Sequence, residues 1–410
     1  MRPFRSHRLA ASVASVAVLT TGCTGYTLPA AAGEAVTVSD AVHYDNLTPP
    51  AAGVPPGIDP TPVWRVDFAG EPKSVGDGFV GLVDTTQTTG NVVIQVINED
   101  GSTRFGVAVP PICSSFVVVQ DGTRRLLVTM STTLTATTPD RPAAKFFATA
   151  RDLTSGVVAW GPVAVSGAWR GPGLVYGNRP TSQVGADIQD YPASVIRASD
   201  GATVLTGDAG LRLPYEHAGL AVLDRPGAGV SVVETETGRQ RWDTIGWNPG
   251  GAAVPARATG KPSFVAAAGD VVVLSWPTAA GPATVGYDLR TGNTLAEPGA
   301  APVTTAVADA RTGAVVLASA PGTGVLTIID STSVTARTLP APPLADAVPD
   351  ALSGGVLYLR AQHSTTALNL TDGSVVSGGW QPPAATSSTG LTLLAPSAVA
   401  RYWDAYRPAR

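Results

Sequence analysis

Two stretches of the same form decide the fold: Asp152-Leu-Thr-Ser-Gly156-Val-Val-Ala-Trp160 and Glu234-Thr-Glu-Thr-Gly238-Arg-Gln-Arg-Trp242. In each stretch the glycine supplies the positive φ that a tight turn requires, and the polar residues before it can bond the turn backbone. An apolar run such as residues 230–233 precedes the turn. Each stretch therefore predicts a β-hairpin whose second strand carries a tryptophan four residues after the glycine.

Variants of this turn recur along the chain, at residues 98–101, 152–156, 198–201, 234–238, 288–292, 330–333 and 369–373. Their spacing averages about 45 residues, which is the length of a four-stranded propeller blade. A second hairpin precedes most of these turns. The pattern therefore predicts repeated units of four strands, A to D, with the glycine turn between strands C and D.

The two ends of the repeat region complement each other. Residues 63–66 read as a D strand with no A, B or C strand before it, and residues 391–394 and 399–403 read as B and C strands without a D strand. Joining them makes an eighth blade and removes exposed sheet edges. We therefore predict an all-β fold over 62–410: an eight-bladed β-propeller of four-stranded antiparallel blades, closed by the N-terminal D strand with the C-terminal strands. The alternative, a pair of β-sandwiches, predicts no constant period.

The turn and its tryptophan resemble the repeat of PQQ-like, quinoprotein-type β-propellers. In that family the tryptophan docks one blade on the next, so the resemblance implies a blade-docking role for four residues: Trp64, Phe105, Trp160 and Trp242. The overall arrangement is also similar to the lipoprotein form of the family that serves outer-membrane protein assembly. The resemblance covers residues 62–410.

Residues 1–23, MRPFRSHRLAASVASVAVLTTGC, indicate export. Three arginines precede an apolar run from Leu9 to Leu19 that is too short for a permanent membrane span. The segment ending at Cys23 resembles the lipobox of bacterial lipoproteins, although Thr20 stands where leucine is favoured. We predict a signal peptide over 1–22, lipid attachment at Cys23 and a flexible tether over 23–61, with an extracytoplasmic domain held to the cell membrane. The alternative is an ordinary signal peptide cleaved after residues 30–32.

Composition excludes several classes of partner. Only 14% of the residues are charged, and 27 Lys and Arg against 31 Asp and Glu give a net charge of −4. Such a chain offers no electrostatic reason to bind DNA, RNA or an anionic membrane surface. Cys113 is the second of two cysteines, so the propeller contains no intrachain disulfide.

Signs of catalysis are weak. Quinoprotein enzymes of the resembled family use a quinone with calcium, and commonly a pair of adjacent cysteines, but this chain has no adjacent cysteines and no acid cluster with calcium-loop spacing. Glu216 and His217 are neighbours that we interpret as part of a solvated turn. We therefore predict no catalytic residue, no metal site and no cofactor.

Three long connections stand out, at 131–144, 178–193 and 246–262. Under the strand assignment they are two B–C loops and one D–A loop, which emerge on one face of a propeller. Long loops often form binding sites. The alternative is that these loops have changed in length without any functional constraint. The candidate binding residues are Thr137, Arg141, Asp187, Asp190 and Arg257.

We expect a monomeric binding or scaffold module at the cell envelope, with an envelope protein or a cell-surface ligand as its partner. The alternative is an extracytoplasmic enzyme, either a quinone-dependent oxidoreductase or a carbohydrate-active propeller.

Overall fold

The computed structural model describes the repeat region almost continuously, together with a few residues before it. The described residues are 35–36, 40–41, 47, 50, 52–86, 90–111, 115–138, 141–177, 193–208, 210–244, 255, 258–299, 303–309, 311–319, 325–330, 335–340, 347–361, 364–395, 397 and 402–409.

The regular elements whose bounds fall within these ranges are β-strands. In chain order the strands are β1 (Ala35–Val36), β2 (Ile58–Val66), β3 (Lys73–Ser74), β4 (Gly78–Asp84), β5 (Val92–Asn98), β6 (Thr103–Val109), β7 (Ser115–Asp121), β8 (Arg124–Thr138), β9 (Arg141–Asp152), β10 (Val158–Val165), β11 (Ala168–Trp169), β12 (Val175–Gly177), β13 (Ala193–Ile196), β14 (Thr203–Thr206), β15 (Arg212–His217), β16 (Leu220–Arg225), β17 (Gly229–Glu234), β18 (Gln240–Asp243), β19 (Ser263–Ala268), β20 (Val271–Trp276), β21 (Ala283–Asp288), β22 (Thr294–Gly299), β23 (Val303–Ala308), β24 (Ala314–Ser319), β25 (Val325–Asp330), β26 (Thr335–Pro340), β27 (Val348–Ser353), β28 (Val356–Arg360), β29 (Thr365–Asn369), β30 (Val375–Gly378), β31 (Ala385–Thr386), β32 (Thr392–Leu394) and β33 (Trp403–Pro408).

The described strands form eight antiparallel sheets, one for each blade. Blades 1 to 7 take four consecutive strands each, from β3–β6 to β27–β30, while β31, β32, β33 and β2 form blade 8. The A strands β19, β23 and β27 contact one another in sequence, and β31 of blade 8 contacts β3 of blade 1. The ring is therefore closed around a channel lined by A strands, and the predicted eight-bladed propeller is confirmed.

Blade 8 is built from both ends of the repeat region. Strand β2 pairs antiparallel with β33, placing Trp64 opposite Ala405 and Val66 opposite Trp403. The N-terminal strand is thus the D strand of the last blade, as predicted. The C strand was expected at 399–403 and lies instead at Trp403–Pro408, where Asp404 forms an ion pair with Arg65 of β2.

The glycine turns join strands C and D as the sequence predicts. In blade 2, Gly156 has a φ of 71° and its N–H donates to the Asp152 carbonyl at 2.8 Å. The Asp152 carboxylate accepts the Thr154 and Ser155 backbone N–H groups at 3.0 and 2.9 Å. The aspartate satisfies the turn backbone while glycine supplies its left-handed conformation, which explains the recurring sequence.

Aromatic side chains on the D strands join neighbouring blades. Three indole Nε1 groups donate to carbonyls in the C–D turn of the next blade: Trp64 to Glu99 at 2.9 Å, Trp160 to Ala198 at 2.6 Å and Trp242 to Leu289 at 2.9 Å. Phe105 packs on Gly156, where an added Cβ would lie 2.9 Å from its ring. In blade 6 the Arg337 guanidinium makes the corresponding bond to the Leu370 carbonyl. Hydrophobic clusters fill the spaces between blades.

The connection expected at 131–144 is not an irregular loop. Strands β8 and β9 continue through it and remain paired from Leu126 opposite Asp152 out to Thr138 opposite Arg141. Threonine, which is enriched in strands, fills five of the eight positions over 131–138 and suits an extended hairpin, although the loop interpretation gave it no weight. Blade 2 thus carries a hairpin longer than those of the other described blades, on the face of the B–C and D–A connections. This face is called the loop face below, and the face of the A–B and C–D turns is called the turn face.

Part of the segment before the propeller lies on blade 1. Strand β1 adds to the outer edge of β6, with Ala35 opposite Val107 and Val36 opposite Gly106. The Ala41 N–H donates to the Gly101 carbonyl at 2.9 Å. These contacts fall within residues 23–61, the range predicted as a tether.

Candidate binding site in the central channel

Two adjoining cavities lie along the described part of the channel. The first, of about 280 Å³, is lined by the A strands of blades 6, 7, 8 and 1, and runs from Glu71 near the loop face to Arg311 near the turn face. The second, of about 380 Å³, lies at the loop face, where D–A residues such as Gln381 meet Ser397 of the blade 8 B–C connection. Both are close to the size range of small-molecule sites. Glu71, Asp350, Pro383 and Ala384 line both cavities.

The charged side chains of the cavities are mostly compensated within the protein. Asp350 Oδ2 accepts both Nη2 and Nε of Arg360, at 2.6 and 3.0 Å. Buried Asp309 accepts the backbone N–H groups of Arg311 at 2.9 Å and Gly355 at 3.1 Å. Its carboxylate therefore links the A–B turns of blades 6 and 7.

The cavity at the loop face has an aromatic and proline wall. Trp403, at the start of β33, lines it together with Pro382 and Pro383. The indole is half-buried, and its Nε1 donates to the Phe68 carbonyl at 3.2 Å, which fixes the ring. Gln381 supplies an amide at the same wall. The wall thus combines an oriented apolar surface with a group that donates and accepts hydrogen bonds.

A lysine beside the first cavity contacts the next two blades around the ring. Lys73, on the A strand of blade 1, donates to the Phe116 carbonyl at 3.0 Å, and its Nζ lies 5.0 and 4.6 Å from the ring centres of Phe116 and Trp169. Burial lowers the pKa of the Lys73 ammonium, while the neighbouring Glu71 carboxylate opposes that shift. The two rings also favour the charged form. Lys73 therefore links blades 1, 2 and 3.

The adjacent acid and imidazole of the sequence lie at the A–B turn of blade 4. Glu216 is buried and accepts the N–H groups of Leu174 at 2.7 Å and Gly219 at 3.0 Å, and burial raises the pKa of its carboxyl group. His217 is partly exposed, with Nε2 3.8 Å from Asp270 Oδ1. Neither side chain lines the channel cavities described above. Their arrangement links blades 3, 4 and 5.

Two of the predicted binding residues fall within the described ranges. The backbones of Thr137 and Arg141 lie at the tip of the blade 2 hairpin. Asp187, Asp190 and Arg257 lie outside the described residues, as do Cys23, Cys113 and the rest of the loops at 178–192 and 245–254. Their proposed roles stay predictions.

Sequence reasoning missed the residues that line the channel at the loop face: Glu71, Asp350, Arg360, Gln381 and Trp403. They sit on short D–A connections and strand ends in different blades, so no spacing in the sequence connects them. Closure of blade 8 was the one signal that placed residues 62–72 and 380–403 near each other.

Within the described residues, no group of three or more His, Cys, Asp or Glu side chains is arranged to hold a metal ion. The same ranges contain no helix with the length and hydropathy of a membrane span.

Comparison with known proteins gives distant structural similarities. No protein-family model matches the chain, and no curated protein matches it. The crystal structure of BamB from Moraxella catarrhalis is 12% identical, with a TM-score of 0.42, covering 85% of this chain and 99% of that one. The computationally designed Ika8 protein is 12% identical, with a TM-score of 0.41, covering 83% of this chain and 100% of that one. Similarities at this level establish no function, and the assignment of the chain as an eight-bladed β-propeller follows from its sheet topology.

Proposed function

We propose that this chain is an exported lipoprotein whose PQQ-like β-propeller acts as a binding or scaffold module at the cell envelope. The cationic and apolar leader followed by Gly22-Cys23 supports export and lipid attachment. A lipid at Cys23 would hold the propeller at the membrane surface, outside the cytoplasm. The module acts by binding an envelope protein or a cell-surface ligand rather than by catalysis.

One observation carries the choice of working face. The larger of the two channel cavities lies at the loop face, on the same side as the extended blade 2 hairpin and the predicted long connections. A propeller holds such segments on a rigid ring, so they can contribute to one continuous surface around the channel mouth. We assign partner binding to that surface.

Site-specific photocrosslinking in the native envelope tests the working face. A photoreactive residue is placed at Arg141 in the blade 2 hairpin, or at Asp187 or Arg257 in the predicted long connections, and at Thr237 or Asp372 in C–D turns as matched turn-face controls. We expect a discrete crosslinked partner from the loop-face positions and none from the controls. The same products from both faces, or none from the loop face, would contradict the assignment.

Lipid attachment has a separate test. Cells grown with a labelled fatty acid should label the wild-type chain, whereas Cys23→Ala should abolish labelling and release or misprocess the protein. A Cys113→Ala variant is the matched control and should label as the wild type does. Absence of label in the wild-type chain would contradict the anchor.

A further inference from the structure

We propose that the cavity at the loop face is a binding site for a neutral saccharide. This inference deepens the proposed function, on which it rests, by naming the chemical class of a ligand for the working face. It is carried by three features of the described site: its aromatic wall, its hydrogen-bonding groups and its balance of charge.

The aromatic wall matches the shape of a sugar ring. A pyranose presents a face of C–H groups to one side and hydroxyl groups around its rim, so it packs its apolar face on an indole while its rim stays hydrogen-bonded. Trp403 lines the cavity and is held by its bond to the Phe68 carbonyl. Pro382 and Pro383 extend this wall without adding flexible side chains.

The polar groups of the site suit vicinal hydroxyl groups. Gln381 offers both an amide donor and a carbonyl acceptor. The ion pair of Asp350 and Arg360 presents fixed acceptors and donors that remain partly exposed, at 28% and 55% of their side-chain surfaces. Planar groups of this kind form paired hydrogen bonds with adjacent hydroxyls of one sugar.

The charge balance favours a neutral ligand. Asp350 is compensated by Arg360, and Glu71 lies near Lys73 on the adjoining strand. Arg311, the other arginine of the two cavities, lies at the far end of the channel, close to Gly390 of the blade 8 turn. The described residues of the cavity thus lack the concentrated positive charge that phosphate or sulfate recognition requires, and an isolated carboxylate does not make a site for a polycation.

The test uses the full-length lipoprotein in a detergent without a sugar headgroup. Saturation-transfer NMR and titration calorimetry are carried out with neutral tetrasaccharides of glucose (α- and β-linked), mannose, galactose, arabinose and N-acetylglucosamine. Glucose 6-phosphate and spermidine serve as charged probes. We expect at least one neutral tetrasaccharide to bind, and neither charged probe to compete with it.

Three variants locate the site. Trp403→Ala should weaken binding about tenfold or more, whereas Trp403→Phe should recover part of the affinity. Gln381→Ala should weaken binding without changing the melting temperature, because Gln381 lies on a connection rather than in a strand. Gln240→Ala, an exposed amide in blade 4, is the matched control and should bind as the wild type does.

The outcomes separate this inference from the proposed function. Binding by none of the neutral tetrasaccharides, competition by either charged probe, or unchanged affinity in Trp403→Ala and Gln381→Ala would overturn the saccharide site. If photocrosslinks from the loop face persist in that case, only the ligand class is wrong. If a saccharide binds at Trp403 and no loop-face crosslink forms, the scaffold role is wrong and the saccharide site stands.

Discussion

Blade 4 and blade 8 have the same four-stranded sheet but obtain it in different ways. Blade 4 comes from one continuous stretch, Arg212–Asp243, in which each strand is followed by a short turn to its neighbour. In blade 8 the outer strand β2 comes from the opposite end of the chain, and the ion pair of Arg65 and Asp404 joins residues 339 positions apart. The connectivity of blade 4 sets its register, whereas side chains must set the register of blade 8.

The ion pairs of the two blades reflect this difference. Asp404 is fully buried, and its two oxygens accept Arg65 Nε at 2.6 Å and Nη2 at 3.0 Å. In blade 4, Glu234 pairs with Arg239 at 3.1 Å beside the C–D turn, with the arginine 66% exposed. A slip of one residue between β2 and β33 would separate the buried pair and turn Trp64 away from its pocket. The comparison indicates that a closing strand needs recognition groups that a contiguous blade does not.

Deleting the closing strand β2 should have the largest effect on stability. Removing residues 58–66 leaves β33 without its outer partner and removes Trp64 from the joint with blade 1, so we expect loss of cooperative folding or a very large fall in melting temperature. Removing residues 24–34 is the control and should leave the melting temperature unchanged, since this range ends before β1 and before buried Ala41. Equal thermal stability of the two truncated proteins would refute the composite blade.

Removing the docking tryptophan should lower the free energy of unfolding by the same amount in blade 8 and in blade 4. Trp64→Ala and Trp242→Ala each remove a buried indole and its bond to the next blade, and each should lower the free energy of unfolding by about 4 kcal/mol. Denaturant titration measures both values. A loss at Trp64 below about 1 kcal/mol, alongside a full loss at Trp242, would show that blades 8 and 1 are not joined as described.

Loss of an ion pair should destabilise the protein more in blade 8 than in blade 4. Arg65→Met leaves the Asp404 carboxylate buried and unpaired, which should cost about 3 kcal/mol. Arg239→Met in blade 4 breaks an exposed pair and should cost less than about 1 kcal/mol. If the two variants are equally stable in denaturant titrations, the buried pair does not specify closure.

Low pH should destabilise the C–D turn at Asp152, by less than the substitutions above. The N–H groups of Ser155 and Thr154, with the Ser155 hydroxyl, hold the pKa of Asp152 below its ordinary 3.8. A lowered folded-state pKa contributes stability that is present above 3.8 and is lost as the pH falls through the folded value. Melting temperatures between pH 6 and pH 2.5 should therefore decline less steeply below pH 4 in Asp152→Asn than in the wild type. Parallel curves would exclude this contribution.

The repeat could be predicted because its signals are local. Glycine turns, alternating strands and the tryptophan offset each lie within one hairpin, and the unpaired D strand at 63–66 indicated closure. The residue at the docking position of each D strand was harder to predict. In blade 7, counting four residues from Gly373 points to Ser377. Strand β30 lacks the bulge that follows most other C–D turns, however, so Val376 lies opposite Ala367. The sequence carries no clear mark of that bulge.

The channel site could not be predicted, for a physical reason. Its residues come from blades 7, 8 and 1 and meet only when the ring closes, so their proximity is a property of the closed ring rather than of any segment. The long connections were predicted as the binding site instead, and one of these is a regular hairpin whose strand β8 is as rich in threonine as a loop.

A distance measurement across blade 8 tests closure most directly. Thr61 on β2 and Arg407 on β33 are both exposed and lie on paired strands, so each can carry a spin label with little disturbance, in a Cys113→Ser background. Opposing Cα atoms of paired strands lie about 5 Å apart, so the two labels should be close together and the continuous-wave electron resonance spectrum of the folded protein should show strong dipolar broadening. A spectrum of the doubly labelled protein equal to the sum of the two singly labelled spectra under native conditions would contradict a propeller closed by its N-terminal strand.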